Sequence, residues 1–197
     1  MQQKLSKREE TRKRMLAAAG RSFRSYGYAG IGVDGIAKEA GVTSGAFYAH
    51  FGSKDGAFSS AVVEGLDEVI EGVPHFQLKH GVEWVQAFAD YYLGQPHRED
   101  LACGCAMTTL TPEVARSNEG LQKLYEQKMT KIAMLIAEGL SGATEDNRIA
   151  RAWAMLAVLI GGLNITRAMD SPALAQNIAE AVKVAAVKTA GQAQVVV

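Results

Sequence analysis

The sequence contains few of the residues that interrupt helices or cross-link a chain. It has four prolines and two cysteines in 197 residues, and no segment has a convincing strand pattern. Alanine and leucine are abundant and long stretches lack turn signals, so the sequence predicts an all-α fold. The two cysteines, Cys103 and Cys105, lie too close together for a disulfide framework, which indicates a reducing compartment.

Long hydrophobic runs and the features of a secretory leader are also missing. The longest apolar run, residues 152–163, has 12 residues, whereas a membrane span needs roughly 18. This run therefore predicts a buried helix. The segment after Met1 is rich in lysine, arginine and glutamate and has no apolar core of a signal peptide. We expect a cytoplasmic protein without a membrane partner, in which 48% apolar residues are enough to build a core.

The chain has no net charge, but its charges are unevenly distributed. Residues 1–60 contain 10 lysines and arginines against 5 acidic residues, and residues 61–197 contain 11 against 16. The front of the chain is therefore positive and the remainder negative. Such an asymmetry suggests that the front meets a polyanion, and nucleic acid is the first candidate.

Apolar periodicity and cap signals divide the front of the chain into four helices. The first is amphipathic with a basic outer face, and Gly27 follows it as a natural terminating glycine. The next two are short and are joined by a turn at Gly41, which is typical of a helix-turn-helix. The fourth follows Ser53 as its N-cap and is expected to break at residues 72–74, Gly-Val-Pro. These four helices are predicted at residues 4–26, 32–40, 44–50 and 54–71.

Five further helices are predicted in the rest of the chain. Ser171 followed by Pro172 is a favourable start for the last of them. We therefore expect a three-helix helix-turn-helix domain in residues 1–53, joined by the fourth helix to a second helical domain in residues 54–197. The further helices are predicted at residues 80–94, 101–116, 118–140, 145–169 and 172–190.

Residues 41–55, GVTSGAFYAHFGSKD, concentrate four rings in five positions. Phe47 and Phe51 are four residues apart and share a helix face, so we expect both in the core. The opposite face suits a recognition helix in a DNA major groove. Thr43, Ser44, Gly45 and Ala46 would then face the bases, and Tyr48, His50 and Lys54 would bind phosphates. The alternative is that the polar rings only cap a compact three-helix core.

Residues 15–58 resemble the DNA-binding domain of the tetracycline-repressor (TetR) family of bacterial transcriptional regulators. The family pattern is F-x-x-x-G-Y, then I-A-x-x-A-G-V-S/T-x-G-x-F/Y-Y-x-H-F, then S-K, and nearly every element is present. The resemblance implies an all-helical homodimer whose larger C-terminal domain binds an inducer and dimerises. One departure is Ile31-Gly32, because the family often has Thr or Ser there to cap the second helix. The family's usual DNA-contacting positions are occupied by Thr43, Ser44, Gly45, Tyr48, His50 and Lys54.

The last two predicted helices are apolar on all sides, which favours a four-helix dimer interface. Gly161 and Gly162 would allow close approach across a two-fold axis. The alternative is that both helices fill the core of a single chain. The apolar side chains are Trp153, Met155, Leu156, Val158, Leu159, Ile160, Leu163, Ile165, Leu174, Ile178, Val182, Val184 and Val187.

A ligand pocket is predicted between the helices at 80–94, 101–116 and 118–140. Their side chains would offer large soft surfaces with a few polar groups, although each is individually more often a core residue than a pocket wall. The candidate ligand-binding residues are Trp84, Phe88, Tyr91, Tyr92, Cys103, Met107, Tyr125, Met129 and Met134.

The cysteines allow a second interpretation, in which a thiolate of Cys103 or Cys105 senses oxidants or electrophiles. The alternative is that both are small buried apolar residues. Their spacing from His97 fits no common zinc pattern, and the sequence has no catalytic motif. We therefore expect no metal, no cofactor and no enzymatic activity.

Together these observations predict a repressor that binds a double-stranded DNA operator as a homodimer and is released by a small-molecule inducer. The resemblance implies that the ligand tilts the fourth helix and changes the separation of the two recognition helices. Three alternatives remain: a thiol-based sensor, an activator with the same fold, and a helical protein-interaction module whose basic front binds an acidic partner.

Overall fold

The computed structural model describes residues 6–102, 104–142 and 144–191, and this part of the chain contains helices and turns but no strand. The all-α prediction is confirmed. A 3-10 turn, Gly81–Glu83, precedes the fifth helix. The helices are α1 (Lys7–Gly30), α2 (Val33–Glu39), α3 (Ser44–Phe51), α4 (Lys54–His80), α5 (Trp84–Tyr92), α6 (Gln95–Glu99), α7 (Ala106–Thr109), α8 (Thr111–Val114), α9 (Glu119–Glu138), α10 (Glu145–Arg167) and α11 (Pro172–Thr189).

These helices form two compact units, each of which is described by itself. The first unit contains the described residues up to Gly65 together with Leu101–Gln122. The second contains Leu66–Asp100 and the described residues from Lys123 onwards. The expected functional division into residues 1–53 and 54–197 stays a prediction.

The core of the first unit lies against one face of α1. A capping box starts this helix, because Ser6 Oγ accepts from Glu9 N at 3.3 Å and Ser6 N donates to the Glu9 carboxylate at 2.8 Å. The predicted start at Lys4 lies outside the described residues. Gly27 interrupts the helical geometry with φ 71°, as its position in the sequence predicts. The buried residues of α1 include Met15, Leu16, Ala18, Ala19 and Phe23.

The fourth helix is longer than predicted. It continues through Pro74 to His80, so the predicted break at residues 72–74 is wrong. A proline inside a helix lacks an N–H donor and costs about 3 kcal/mol relative to alanine. Val73 is nevertheless fully buried, and Gln77 Nε2 donates to the carbonyl of Leu135 at 2.7 Å. Packing within the second unit therefore keeps the helix continuous.

The segment predicted as one helix at residues 101–116 is broken into α7 and α8, and α6 precedes it without having been predicted. Cys105 has extended backbone angles, φ −63° and ψ 131°, as the N-cap of α7. Pro112 lies in the first turn of α8, where its missing N–H does not matter. The predicted helix at 80–94 begins only at Trp84, because Gly81 adopts φ 54° and interrupts the chain before it.

The second unit contains α10 and α11, which pack closely against each other. A Cβ atom on Gly162 would lie 2.3 Å from Val182 Cγ1, so this glycine permits close approach of two helices within one chain. Gly161 has nothing within 4 Å of its Cβ position. The predicted cap of α11 is confirmed, because Ser171 Oγ accepts from Leu174 N at 3.3 Å with Pro172 in the first turn.

Among the described residues, α10 is the one helix whose length and composition would allow it to span a membrane. This is weak evidence for a membrane span, because the core helix of a soluble protein meets the same criterion. Leu156, Leu159 and Leu163 of α10 are buried inside the unit, as the sequence predicts for a core helix.

Candidate nucleic-acid interface

Helices α2 and α3 are joined by a tight turn. Ala40 ends α2, and Gly41 follows with φ 67°, a left-handed conformation that glycine adopts without strain. The turn is closed by Val42 N, which donates to the carbonyl of Ala37 at 3.0 Å. Thr43 then caps α3, because its hydroxyl accepts from Ala46 N at 3.2 Å. Two short helices joined in this way form a helix-turn-helix.

The inner face of α3 is held down by aromatic packing. Phe47 is completely buried, and the centroid of the Phe51 ring lies 5.2 Å from its ring centroid. Phe51 is only half-buried, and the central carbon of the Arg12 guanidinium lies 5.5 Å from its ring centroid. The sequence therefore predicted the core position of Phe47 correctly, and Phe51 lies at the edge of that core.

The outer face of α3 presents most of the predicted DNA-contacting residues. Tyr48 is 52% exposed, Thr43 and Gly45 are exposed, and Ser44, Ala46 and His50 are half-buried. The structure thus brings the six residues of this helix and its cap onto one element of the first unit. Their contacts with DNA stay a prediction.

The seventh predicted residue, Lys54, lies in the first turn of α4. Its ammonium nitrogen lies 4.4 Å from the centroid of the Tyr28 ring. The Tyr28 hydroxyl donates to Asp55 Oδ1, and this bond, together with burial, raises the pKa of Tyr28 to about 12. Tyr28 also stacks on Phe23, with 6.1 Å between ring centroids. The sequence did not reveal that Tyr28 supports Lys54.

The position of α2 relative to α1 is fixed by Glu39. Arg21 Nε donates to Glu39 Oε1 at 2.9 Å, and Ser22 Oγ donates to Glu39 Oε2 at 2.6 Å. Ser22 is buried, so its hydroxyl needs this partner. The outer face of α1 carries exposed cations that could bind a polyanion, namely Arg8, Arg12, Lys13 and Arg14.

The first unit also contains an open cleft of about 340 Å³. It is lined by residues that include Tyr28, Asp55, Phe58, Glu113 and Arg116. The Glu113 carboxylate accepts from the backbone N–H of Tyr28 at 3.1 Å. None of the predicted ligand-binding residues lines this cleft.

Most of the predicted ligand-binding residues lie in the second unit. Trp84, Phe88 and Tyr92 of α5 are buried, and Trp84 Nε1 donates to the carbonyl of Gly139 at 2.9 Å. Phe76, which the sequence did not single out, lies 5.3 Å from both Phe88 and Tyr91 between ring centroids. Their role in ligand binding stays a prediction. Of the other candidates, Met129 is buried, Tyr125 is half-buried, Tyr91 and Met134 are exposed, Met107 is buried in the first unit, and Cys103 lies outside the described residues.

His97 lies beside this aromatic group. Its ring centroid is 5.2 Å from those of both Tyr91 and Tyr92. Burial, and then the nearby positive charge of Arg167, lower the pKa of His97 to about 4. The imidazole is therefore neutral at physiological pH.

Cys105 is half-buried at the start of α7, and the thiol-sensing hypothesis stays a prediction. Within the described ranges, no group of three His, Cys, Asp or Glu side chains is arranged to hold a metal ion.

Residues 15–61 match the model of a family described as bacterial regulatory proteins, tetR family. No curated protein sequence matches the chain significantly. A TetR-family transcriptional regulator from Cytophaga hutchinsonii has a similar fold, with a TM-score of 0.78 and 17% identity over 94% of this chain and 98% of that one. A second such regulator, from Agrobacterium tumefaciens, has a TM-score of 0.75 and 16% identity over 90% and 98% of the two chains. The reduced form of NemR from E. coli has a TM-score of 0.72 and 19% identity over 89% and 97%.

Proposed function

Because the chain belongs to the TetR family of bacterial regulators, which bind DNA and are not enzymes, we propose that it is a repressor released from its operator by a small molecule. The observation that carries this proposal is the construction of α3. One side is anchored by the buried Phe47 ring, and the other presents small polar residues at its N-terminus and the exposed Tyr48 ring.

This arrangement divides DNA contacts into two kinds. The short side chains of Thr43 and Ser44 lie at the end of α3 that enters a major groove in helix-turn-helix proteins, where they read base edges. Tyr48, His50 and Lys54 bind phosphates and fix the position of the helix on the duplex. The basic face of α1 adds attraction that does not depend on sequence.

The repressor acts as a homodimer, for which α10 and α11 supply the surface. Several large apolar side chains on these helices remain exposed in the single chain: Trp153 (39%), Ile165 (52%), Leu174 (48%) and Val184 (45%). Apolar side chains on adjacent helices favour association with an identical surface. Two copies then place two recognition helices on half-sites about one helical turn apart.

The inducer binds beside the aromatic side chains of α5 in the second unit. Aromatic walls with a few polar groups favour a small, largely apolar molecule. Such a molecule releases the operator only to the extent that it binds more tightly to the form that does not bind DNA. The protein acts in the cytoplasm, where the operator is located.

Selection from a pool of randomised duplexes tests this function. The wild-type protein is expected to enrich a near-palindromic sequence, which then binds it with a stoichiometry of two chains per duplex. Enrichment of no sequence would contradict a repressor. Absence of salt-dependent binding to duplex DNA would instead favour the protein-interaction module that the sequence left open.

A further inference from the structure

The carboxylate of Asp34 lies at the edge of the recognition helix. Asp34 is in the first turn of α2, and Ser44 is the first residue of α3. Ser44 Oγ donates to Asp34 Oδ1 at 2.5 Å, a separation typical of a hydroxyl bound to a carboxylate. Asp34 is exposed and Ser44 is half-buried. An acidic group therefore stands beside the residue that the proposed function places against the bases.

The hydrogen-bonding capacity of this pair is one-sided. A serine hydroxyl has a single proton to donate, and an ionised carboxylate has none. The Ser44 proton is committed to Asp34. The pair can therefore offer a base edge only acceptors, namely the remaining lone pairs of Ser44 Oγ and of the Asp34 carboxylate.

An acceptor-only pair distinguishes the four bases in the major groove. Guanine and thymine present acceptors there, so neither can hydrogen-bond to the pair. Adenine presents the N6 donor next to the N7 acceptor, and N7 would face the carboxylate unfavourably. Cytosine presents the N4 donor with an acceptor on one side only, the O6 of the paired guanine, whereas adenine N6 lies between two acceptors, its own N7 and the O4 of the paired thymine. Cytosine is therefore the base that this pair fits best.

The charge of Asp34 also favours contact with a hydrogen-bond donor on a base. A carboxylate facing DNA is repelled by the phosphates, and the partner of Asp34 is the neutral Ser44. Glu39 in the same unit is instead paired with Arg21. A contact with a base donor would give the Asp34 charge a favourable role in sequence recognition.

We propose that Asp34 and Ser44 together read one cytosine in each operator half-site, with the Asp34 carboxylate accepting from cytosine N4. This inference rests on the proposed function, because it requires α3 to lie in the major groove. It adds Asp34 of α2 to the residues that determine which sequence is bound.

Selection from randomised duplexes with wild type, Asp34→Asn and Ser44→Ala tests the pair. Asparagine keeps an oxygen that accepts from Ser44 but replaces the second carboxylate oxygen by an amide donor. The wild type is expected to enrich cytosine at one position of each half-site. Asp34→Asn is expected to reduce the preference for cytosine over guanine there by at least about fivefold, and Ser44→Ala is expected to weaken it.

Glu64→Gln is the control, because it also removes one negative charge from the first unit, at an exposed position of α4. This variant is expected to retain the cytosine. If Asp34→Asn enriches the same sequence as the wild type, the inference is wrong while the proposed function stands. The same holds if Glu64→Gln loses the cytosine to the same degree. If the wild type enriches no sequence, the proposed function fails and the inference fails with it.

Discussion

The ammonium group of Lys54 lies over the Tyr28 ring, 4.4 Å from its centroid, while the hydroxyl of the same tyrosine donates to Asp55. One side chain from the end of α1 therefore contacts the first two residues of α4. In the proposed function, this arrangement orients the Lys54 ammonium toward a phosphate before DNA arrives, which reduces the entropy lost on binding.

Replacing Tyr28 by phenylalanine is expected to lower the free energy of unfolding by about 1 kcal/mol at neutral pH, because the ring stays and one hydrogen bond is lost. The pKa of Tyr28 is raised from 10.0 to about 12 in the folded protein. Its contribution is therefore fully present below pH 10 and is lost as the pH rises towards 12. Urea denaturation between pH 10 and pH 12 should show that the free energy of unfolding falls more steeply with pH in the wild type than in Tyr28→Phe. Equal slopes of unfolding free energy against pH in the two proteins would exclude the hydrogen bond to Asp55. Tyr26→Phe is the control, because Tyr26 is an exposed tyrosine of α1.

The two phenylalanines of α3 are expected to differ in their effect on stability. Phe47 is completely buried, so Phe47→Ala should lower the free energy of unfolding by about 3–5 kcal/mol. Phe51 is half-buried, so Phe51→Ala should lower the free energy of unfolding by clearly less than Phe47→Ala does. Chemical denaturation followed by circular dichroism measures both values. An equal loss for the two variants would contradict the assignment of Phe47 as the main anchor.

Pro74→Ala is expected to stabilise the protein. Pro74 is exposed inside the continuous helix α4, and alanine restores the missing N–H donor. The gain is about 3 kcal/mol from the helix, reduced by about 1 kcal/mol because alanine makes the unfolded chain more flexible. The urea midpoint should therefore rise. A lower midpoint would mean that α4 needs the proline geometry at this position.

His97 is expected to make the protein less stable in mild acid. Its pKa is lowered from 6.5 to about 4 in the folded chain, so the unfolded chain takes up a proton first as the pH falls. The stabilising contribution is present above pH 6.5 and is lost between pH 6.5 and 4. Denaturation at pH 7 and pH 5 should show a loss of about 1–2 kcal/mol in the wild type. His97→Gln should lose less unfolding free energy between pH 7 and pH 5. If this variant loses as much as the wild type, another group causes the acid sensitivity.

The sequence predicted the front of the chain well because its signals there are local. Gly41 and the cap at Ser53 each lie within a few residues of the helix end that they define. Phe47 could be assigned to the core from helical spacing with Phe51. These signals depend on backbone chemistry rather than on distant parts of the chain.

The predictions that failed depend on contacts between residues far apart in sequence. The continuity of α4 through Pro74 is supported by Gln77 and by the burial of Val73, and neither contact can be read from local propensity. Two hydrogen bonds that the sequence did not predict, from Ser44 to Asp34 and from Tyr28 to Asp55, also join different helices. The sequence shows the donors and acceptors, but only the fold brings them together.

The most direct test of the central claim is the affinity for a selected duplex between about 50 and 200 mM salt, measured for wild type, Tyr48→Ala, Lys54→Ala and the exposed-tyrosine control Tyr26→Ala. The account predicts weaker binding to every duplex for both site variants. Lys54→Ala should also reduce the slope of log affinity against log salt by about one, because one phosphate contact is lost. Tyr26→Ala should bind as the wild type does. Wild-type affinity and slope in both site variants would contradict the claim that this face of α3 and the start of α4 bind DNA.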